Sequence, residues 1–330
     1  MSSHGPNNIL VISGNDVRRL LSMEQCIELI DATMRTVSRG GAQLPLRIGA
    51  PIPGGNIVAV MPGVLDRPAA AGAKVIAVYP NNSQRGLPSH RGVVVLFDIE
   101  HGTPIAVVDA TAITALRTAA ASAVATRALA RPDACSLAIL GNGEQAEMHL
   151  RAIVAVRNLQ RVCVWGRNRE RVERFVESCQ HHSPVRITIA ATVEEAVRDA
   201  DIVCTTTSSR EPILRGAWLR PGTHVNLVGA SAATAREADD ELVKRSEFFV
   251  DFRGSALAQA GELLGVYGER AAEHIRGEIG EVLGGKVPGR QNDTQVTVYK
   301  SLGIAAQDLA AAEYVYAAAQ TSGLGVLAKL

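Results

Sequence analysis

Between about Ala134 and Asp251, short apolar runs alternate with polar, amphipathic segments: CSLAIL, RVCVW, RITIA, DIVCTTT, HVNLVG and FFVDF. Short β-branched runs separated by helical segments predict parallel strands buried on both faces. Helix start signals stand between them, such as the T-x-x-E capping box of Thr192 and Glu195 before AVRDA. The chain up to residue 130 is patterned differently. Ser22 and Gln25 form a second capping box, and Met23, Ile27, Ile30, Met34 and Val37 recur behind it at helical spacing, a stripe that reads as core. GGNIVAVMPG, GAKVIAVYP, RGVVVLFD and TPIAVVD follow, with Pro, Gly and Asn turns between them, and predict a meander or mixed sheet. The Ala-rich ITALRTAAASAVATRALA predicts a helix leading to a boundary at Arg131-Pro132-Asp133. QVTVYKS reads as a last strand, and Ile304 to Gln320 as an alanine-rich helix. The expected fold class is α/β.

One junction in this pattern carries chemistry. The run SLAIL passes directly into GNGEQA, a G-x-G-x-x-A spacing at Gly141, Gly143 and Ala146. In a dinucleotide fold the first glycine makes the tight turn and the second lets backbone approach the pyrophosphate. The third small residue lets the helix pack on its strand, and the helix N-terminus offers unpaired N–H groups to the phosphates. A G-x-G alone is weak, but this one follows a predicted strand and opens a predicted helix. The next strand ends in Gly166, Arg167, Asn168 and Arg169, where an NAD-preferring fold places a carboxylate for the ribose 2′-hydroxyl. Arginine suits a 2′-phosphate, which its planar fork meets in pairs, so NADP(H) is favoured over NAD(H). The bland alternative is a pair of solvated arginines at a helix start.

Bulk properties narrow the classes. The chain has 330 residues and a formal net charge of +1, which leaves no basic footprint for nucleic acid and no membrane-seeking surface. No apolar run reaches spanning length, and MSSHGPNN lacks the plan of a signal peptide. Cys26, Cys135, Cys163, Cys179 and Cys204 are odd in number and scattered, so they read as reduced, and the chain as a soluble cytoplasmic protein. No H-E-x-x-H or Cys/His cluster has metal-ligand spacing, and His181-His182 reads as solvated. No metal is expected.

Three cations stand in apolar company: Lys74 in GAKVIAVY, Arg117 in ITALRTAA and Arg47 in LPLRIG. Each alone would more often be a surface residue. Lys74 lacks polar partners at alternate positions, so its face is not simply the wet one. Burial would lower its pKa toward acid–base use. Three cations without adjacent acids suggest a pocket for a substrate carboxylate. The stretch GASAA at residues 229–233 superficially resembles a hydrolase elbow but lacks the second glycine of G-x-S-x-G, so Ser231 is better read as lining a cofactor crevice.

With these residues placed, the chain resembles the ornithine cyclodeaminase/mu-crystallin family over nearly its whole length. The resemblance is carried by AGAKVIAVYP, LPSHRGVVVLFD, AITALRTAAASAVATRAL, AILGNGEQA, EPILRGAWLRPGTHVNLVGAS, GEIGEVLGGKVPGR and VTVYKSLGIAAQDLAAA. It implies a homodimer with a Rossmann domain over 131–304 and a second, α+β domain, from 1–130 and 305–330, for substrate binding and dimerisation. It implies Arg47 and Arg117 on the substrate carboxylate, Lys74 beside the reacting carbon, and Ser89, His90 and Ser231 around the substrate. The implied cofactor set is Thr118, Gly141, Gly143, Glu144, Gln145, Ala146, Gly166, Arg167, Asn168, Thr206, Thr207, Val228, Ser231 and Ser301. One departure matters: cyclodeaminases carry an aspartate where this chain has Ser231. LPSH, VGAS and YKSLG are similar to the mu-crystallin branch, associated with ketimine reduction. The expected activity is NAD(P)H-dependent reduction of an imino acid to an L-amino acid. The alternatives are ornithine cyclodeamination, amino-acid dehydrogenation, or a non-catalytic role in holding NADP(H) and a small ligand.

Overall fold

The computed structural model describes residues 8–80, 82 and 87–330. The N-terminal stretch MSSHGPNN, read above as no signal peptide, lies up to Asn7 outside the described residues. Contacts divide the chain into two compact units, Met1–Arg117 with Ile304–Leu330, and Thr118–Gly303.

The first unit contains β1 (Asn8–Ile12), α1 (Gly14–Leu20), α2 (Met23–Ser38), β2 (Ala42–Gln43), β3 (Ile48–Ile52), β4 (Asn56–Asp66), β5 (Ala69–Val78), β6 (His90–Phe97) and β7 (Pro104–Asp109). Helix α3 (Ala110–Leu129) begins in it, and α12 (Ala305–Ser322) and β16 (Val326–Lys329) complete it. The sheet order is β16-β1-β7-β6-β5-β4-β2, with β3 also on β4; only β1 and β7 pair in parallel. The α2 stripe is buried as its spacing demands, and both halves of the Ser22–Gln25 capping box are made. QVTVYKS is not the last strand. The chain continues through α12 into β16, a short and mostly exposed strand that pairs with the edge of β1.

The second unit contains β8 (Ser136–Leu140), α4 (Glu144–Val156), β9 (Arg161–Trp165), α5 (Arg169–Cys179), β10 (Ile187–Ile189), α6 (Val193–Val197), β11 (Ile202–Thr205) and β12 (His224–Leu227). After these come α7 (Asp240–Arg245), β13 (Ser246–Val250), α8 (Arg253–Gln259), α9 (Gly261–Tyr267), α10 (Ala271–His274), β14 (Ile275–Glu278), α11 (Ile279–Leu283) and β15 (Val296–Lys300). Its sheet runs β10-β9-β8-β11-β12-β15-β13-β14, every pair parallel. This is a Rossmann-like α/β unit. The order turns back between β8 and β11, and ligands of such sheets bind at that switch point, beyond the strand carboxyl ends.

Every residue of β8, β11, β12 and β15 is buried, which explains their mostly apolar character. Their few polar side chains pair internally, as His224 Nδ1 does with Thr297 Oγ1 at 2.9 Å. Contacts place residues 118–129 of α3 in this unit, where Ser122 Oγ lies 2.9 Å from His149 Nε2 and Thr126 Oγ1 accepts from Asn226. Thr192 caps α6 as expected, but Glu195 takes the N–H of Ala191 and leaves the box half made. All five cysteines are free. Among the described residues no helix is long and apolar enough to cross a membrane.

Candidate functional site

In the first unit the decisive element is the central strand β5. Lys74 shares its inward face with Ala70 and Ile76, and its sheet neighbours in register are Met61 and Val94. An ammonium with such neighbours must find its partners off the sheet. They come from α12, which packs close because Gly63 and Gly72 present no side chain. A Cβ on Gly63 would lie 3.0 Å from Ala305 Cβ, and one on Gly72 3.0 Å from Leu309 Cδ2. That approach brings the fully buried carboxylate of Asp308 to 2.7 Å from Lys74 Nζ. Its other oxygen accepts from Arg117 Nε at 3.0 Å, and Arg117 Nη1 donates to Gln307 Oε1 at 2.9 Å. Thr114 Oγ1 lies 3.4 Å from Lys74 Nζ.

The cations that seemed to lack acids therefore have one, supplied from 191 residues away for Arg117. Lys74, Arg117 and Asp308 together still carry one positive charge in excess, in a place where Lys74 and Arg117 are 2% and 5% exposed. Burial pushes Lys74 down from its usual value to about 8; the Asp308 carboxylate opposes that push, while Arg117 and Arg47 add to it. Arg47 lies between β2 and β3 and is half-buried, but its apolar neighbours Leu46 and Ile48 are exposed, so apolar company there did not mean burial. Ser89 Oγ and His90 Nδ1 lie 2.9 Å apart at the start of β6. His90 is exposed as a residue, yet desolvation of its ring and the fields of Lys74, Arg117 and Arg47 hold it down, to about 4. It is neutral at physiological pH.

In the second unit the proposed cofactor residues stand just past the ends of five strands. Gly141 follows β8, Gly166 follows β9, Thr206 follows β11, Val228 follows β12 and Ser301 follows β15. Gly141 has φ +128°, a backbone that L side chains rarely adopt, and a Cβ there would meet Thr206 Oγ1 at 2.6 Å. Gly143 differs. It is the N-cap of α4 with no side-chain cap bond, and a Cβ there would meet nothing within 4 Å. Glu144 and Gln145 open the first turn of that helix, whose unpaired backbone N–H groups are of the kind that binds phosphate. Ala146 is fully buried, as close helix–strand packing requires. The hydroxyls of Thr118 and Ser301 are buried without a hydrogen-bond partner, an arrangement that costs free energy until a ligand supplies one. These observations fit a dinucleotide.

A cleft of about 470 Å³ lies beside the end of β9, lined by Trp165, Gly166, Arg167 and Arg169 and by Ile189 to Ala191. Among the described residues no carboxylate lines it. Arg169 is engaged with Glu173 at 2.8 Å, whereas Arg167 is exposed and has no ion-pair partner among the described residues. Other candidates are committed to the fold. Asn168 Oδ1 caps α5 through Arg171 N, Thr206 Oγ1 donates to Leu140 O, and Thr207 Oγ1 donates to Glu237. Ser231 is exposed in the loop after β12.

Sequence reasoning passed over Asp308 and Gln307. The signal was present: a carboxylate in the apolar IAAQDLAAA is as out of place as a lysine in GAKVIAVY. It also passed over Glu237, Glu262 and Lys300, all three fully buried in the second unit.

The profile of the ornithine cyclodeaminase/mu-crystallin family matches residues 8–323. The chain is 38% identical over 310 residues to the ketimine reductase mu-crystallin of Rattus norvegicus, spanning 92% of this chain and 96% of that protein. It is 34% identical over 321 residues to a Delta(1)-pyrroline-2-carboxylate reductase of Bacillus cereus, spanning 96% and 98%. Among solved structures, it superposes with a TM-score of 0.93 on the Delta(1)-pyrroline-2-carboxylate reductase of Thermococcus litoralis in complex with NADH and L-proline, at 34% identity, covering 96% of this chain and 99% of that one.

Proposed function

The chain belongs to the ornithine cyclodeaminase/mu-crystallin family, and from that premise we propose that it is an NAD(P)H-dependent reductase of imino acids, cyclic or acyclic, yielding L-amino acids. The observation that carries the reading is the buried Lys74–Asp308–Arg117 group with its excess positive charge. An anion is needed to balance it, and a lysine near pKa 8 is a proton donor suited to neutral pH.

Reduction of a C=N bond adds hydride to carbon and a proton to nitrogen. A bound reduced nicotinamide supplies the hydride. Arg117 and Arg47 hold the substrate carboxylate, which fixes the imine carbon in place. Lys74 faces the imine nitrogen and gives it the proton, and Asp308 keeps that ammonium charged until then. His90 and Ser89, neutral at this pH, offer hydrogen bonds without adding charge. Gly143 and the α4 N-terminus take the pyrophosphate, Thr118 and Ser301 offer their unpaired hydroxyls, and Arg167 favours a 2′-phosphate, hence NADPH over NADH. A homodimer formed through the first unit and a cytoplasmic location complete the proposal.

The test is to incubate the pure protein with pyrroline-2-carboxylate, or with keto acids plus methylamine, and follow oxidation of NADPH and NADH. Stoichiometric conversion to the L-amino acid is expected. Ornithine with catalytic NAD⁺ is the counter-experiment. Cyclisation needs a base for the terminal amine, and Ser231 offers no charge to hold or deprotonate it. Proline and ammonia formed from ornithine without net cofactor consumption would overturn the assignment.

A further inference from the structure

Among the buried ionisable groups of the second unit to which imine reduction as described gives no role are Glu237, Glu262 and Lys300, each fully enclosed. They form one connected cluster. Lys300 Nζ donates to Ala230 O at 2.6 Å and to Glu262 Oε1 at 3.1 Å, with Glu262 Oε2 at 2.9 Å. Glu262 Oε1 also accepts the backbone N–H of Glu237, at 3.1 Å. The Glu237 carboxylate accepts four bonds: from Thr205 Oγ1 at 2.7 Å, Thr207 Oγ1 at 2.7 Å, Thr207 N at 2.9 Å and Gly229 N at 2.6 Å.

The atoms so joined come from the ends of β11, β12 and β15 and from the start of α9, at the side of the sheet where ligands bind. What they enclose is the segment 229–236, which has neither helix nor strand. Its tip, Ser231 to Thr234, is exposed. One end is held through Gly229 N and Ala230 O, the other by Glu237 itself. A Cβ on Gly229 would strike Thr207 O, and one on Gly261 would lie 2.9 Å from Ala232 O, so the base of the loop is packed without slack. Replacing buried ion pairs by well-packed apolar side chains is often neutral or stabilising, so the placement these charges impose is the role that their geometry suggests.

We propose that Glu237, Glu262 and Lys300 are positioning residues: together they fix loop 229–236, and with it Ser231 and the backbone after β12, in the arrangement that receives the cofactor. This rests on the reading of the second unit as a dinucleotide site. The loop has a built-in reporter, since trypsin cleaves after Arg236.

Lys300→Met alone leaves Glu262 as an unpaired buried charge and can cost the fold, so it is combined with Glu262→Gln, which keeps an acceptor for Glu237 N. The double variant should melt within a few degrees of the parent. Its tryptic cleavage after Arg236 should be about tenfold faster, as expected for local opening. NADPH binding, read by fluorescence titration without turnover, should weaken about tenfold as the competent loop becomes a minor state. Thr205→Val, which removes one donor from Glu237 and keeps the shape, should move both readouts the same way by about threefold, the scale of one hydrogen bond. If the double variant fails to fold, Thr205→Val decides. Cleavage and cofactor affinity both unchanged in a folded variant overturn the proposal and leave the cluster a stability element. If the parent binds NADPH but reduces no imine, the functional assignment fails while this proposal stands or falls on the same two readouts.

Discussion

Replacing Asp308 by Asn keeps the shape of the side chain and removes the one carboxylate bonded to both Lys74 and Arg117. At the observed 2.7 Å, Coulomb's law with an effective dielectric of about 20 gives roughly 6 kcal/mol for the Lys74 pair. Even a quarter of that is about one pKa unit. Lys74 already sits near 8, so the loss takes it to neutrality or below. If Lys74 donates the proton to the imine nitrogen, activity depends on its charged form and falls as pH rises through its pKa. The alkaline limb of the rate profile should therefore lie near pH 8 in the parent and move down by at least about one unit in Asp308→Asn. The variant should also lose about 3 kcal/mol of stability, the usual cost of removing one partner from a buried pair. The assay is initial rate against pH with saturating NADPH, with denaturant midpoints to establish that the variant is folded. A folded Asp308→Asn with an unmoved alkaline limb would refute the coupling and the role of Lys74 as proton donor.

Gly143→Val places a side chain in open space, so denaturant stability should change by no more than about 1 kcal/mol, while NADPH affinity, read by fluorescence titration, should fall at least about a hundredfold. Arg167→Ala should weaken NADPH binding by about tenfold or more, the worth of one charge-assisted contact, and leave NADH nearly unchanged; equal losses for both would remove the 2′-phosphate argument. His149, held neutral by burial with its pKa pushed down to about 4, binds fewer protons folded than unfolded between about pH 4 and pH 6.5. The stability it contributes is complete above about pH 6.5 and is lost as pH falls toward 4, by about 3 kcal/mol; urea midpoints across that range should fall less steeply in His149→Gln than in the parent, the loss from buried His224 remaining in both.

The parallel unit was legible because its strands are buried on both faces and therefore read as short, predominantly apolar runs. The glycine turn was legible because backbone geometry, not side-chain chemistry, demands its residues. Strand β14, reading IRGE, carries no such run, and β16 lies exposed at an edge, so neither gave a signal. Lys74 and Arg117 could be found because a charge in an apolar run violates the pattern. Asp308 violates it equally, but its meaning depends on α12 lying over β5, a contact between segments far apart in the chain. Periodicity does not report such contacts. Thr207 and Asn168, which the family resemblance put in the cofactor set, have side chains bonded to Glu237 and to the start of α5, contacts that no sequence pattern reports.

The two buried lysines show how charge count, more than residue type, assigns a role. Lys300 has its Nζ surrounded by Ala230 O and both oxygens of Glu262, whose neighbour Glu237 adds a second acid. Ala230 O and Glu262 Oε1 accept from it, and the Glu262 carboxylate leaves no positive charge in excess. Such an ammonium holds its surroundings in place. Lys74 is as deeply buried, but the described residues give its Nζ only Asp308 and a long contact to Thr114, and they share that carboxylate with Arg117. One N–H remains unspent and one positive charge uncompensated. Both deficits are met at once by a molecule that carries a carboxylate and, next to it, a nitrogen able to take a proton. On the function proposed above, that molecule is an imino acid, and its reduction would consume a proton from Lys74.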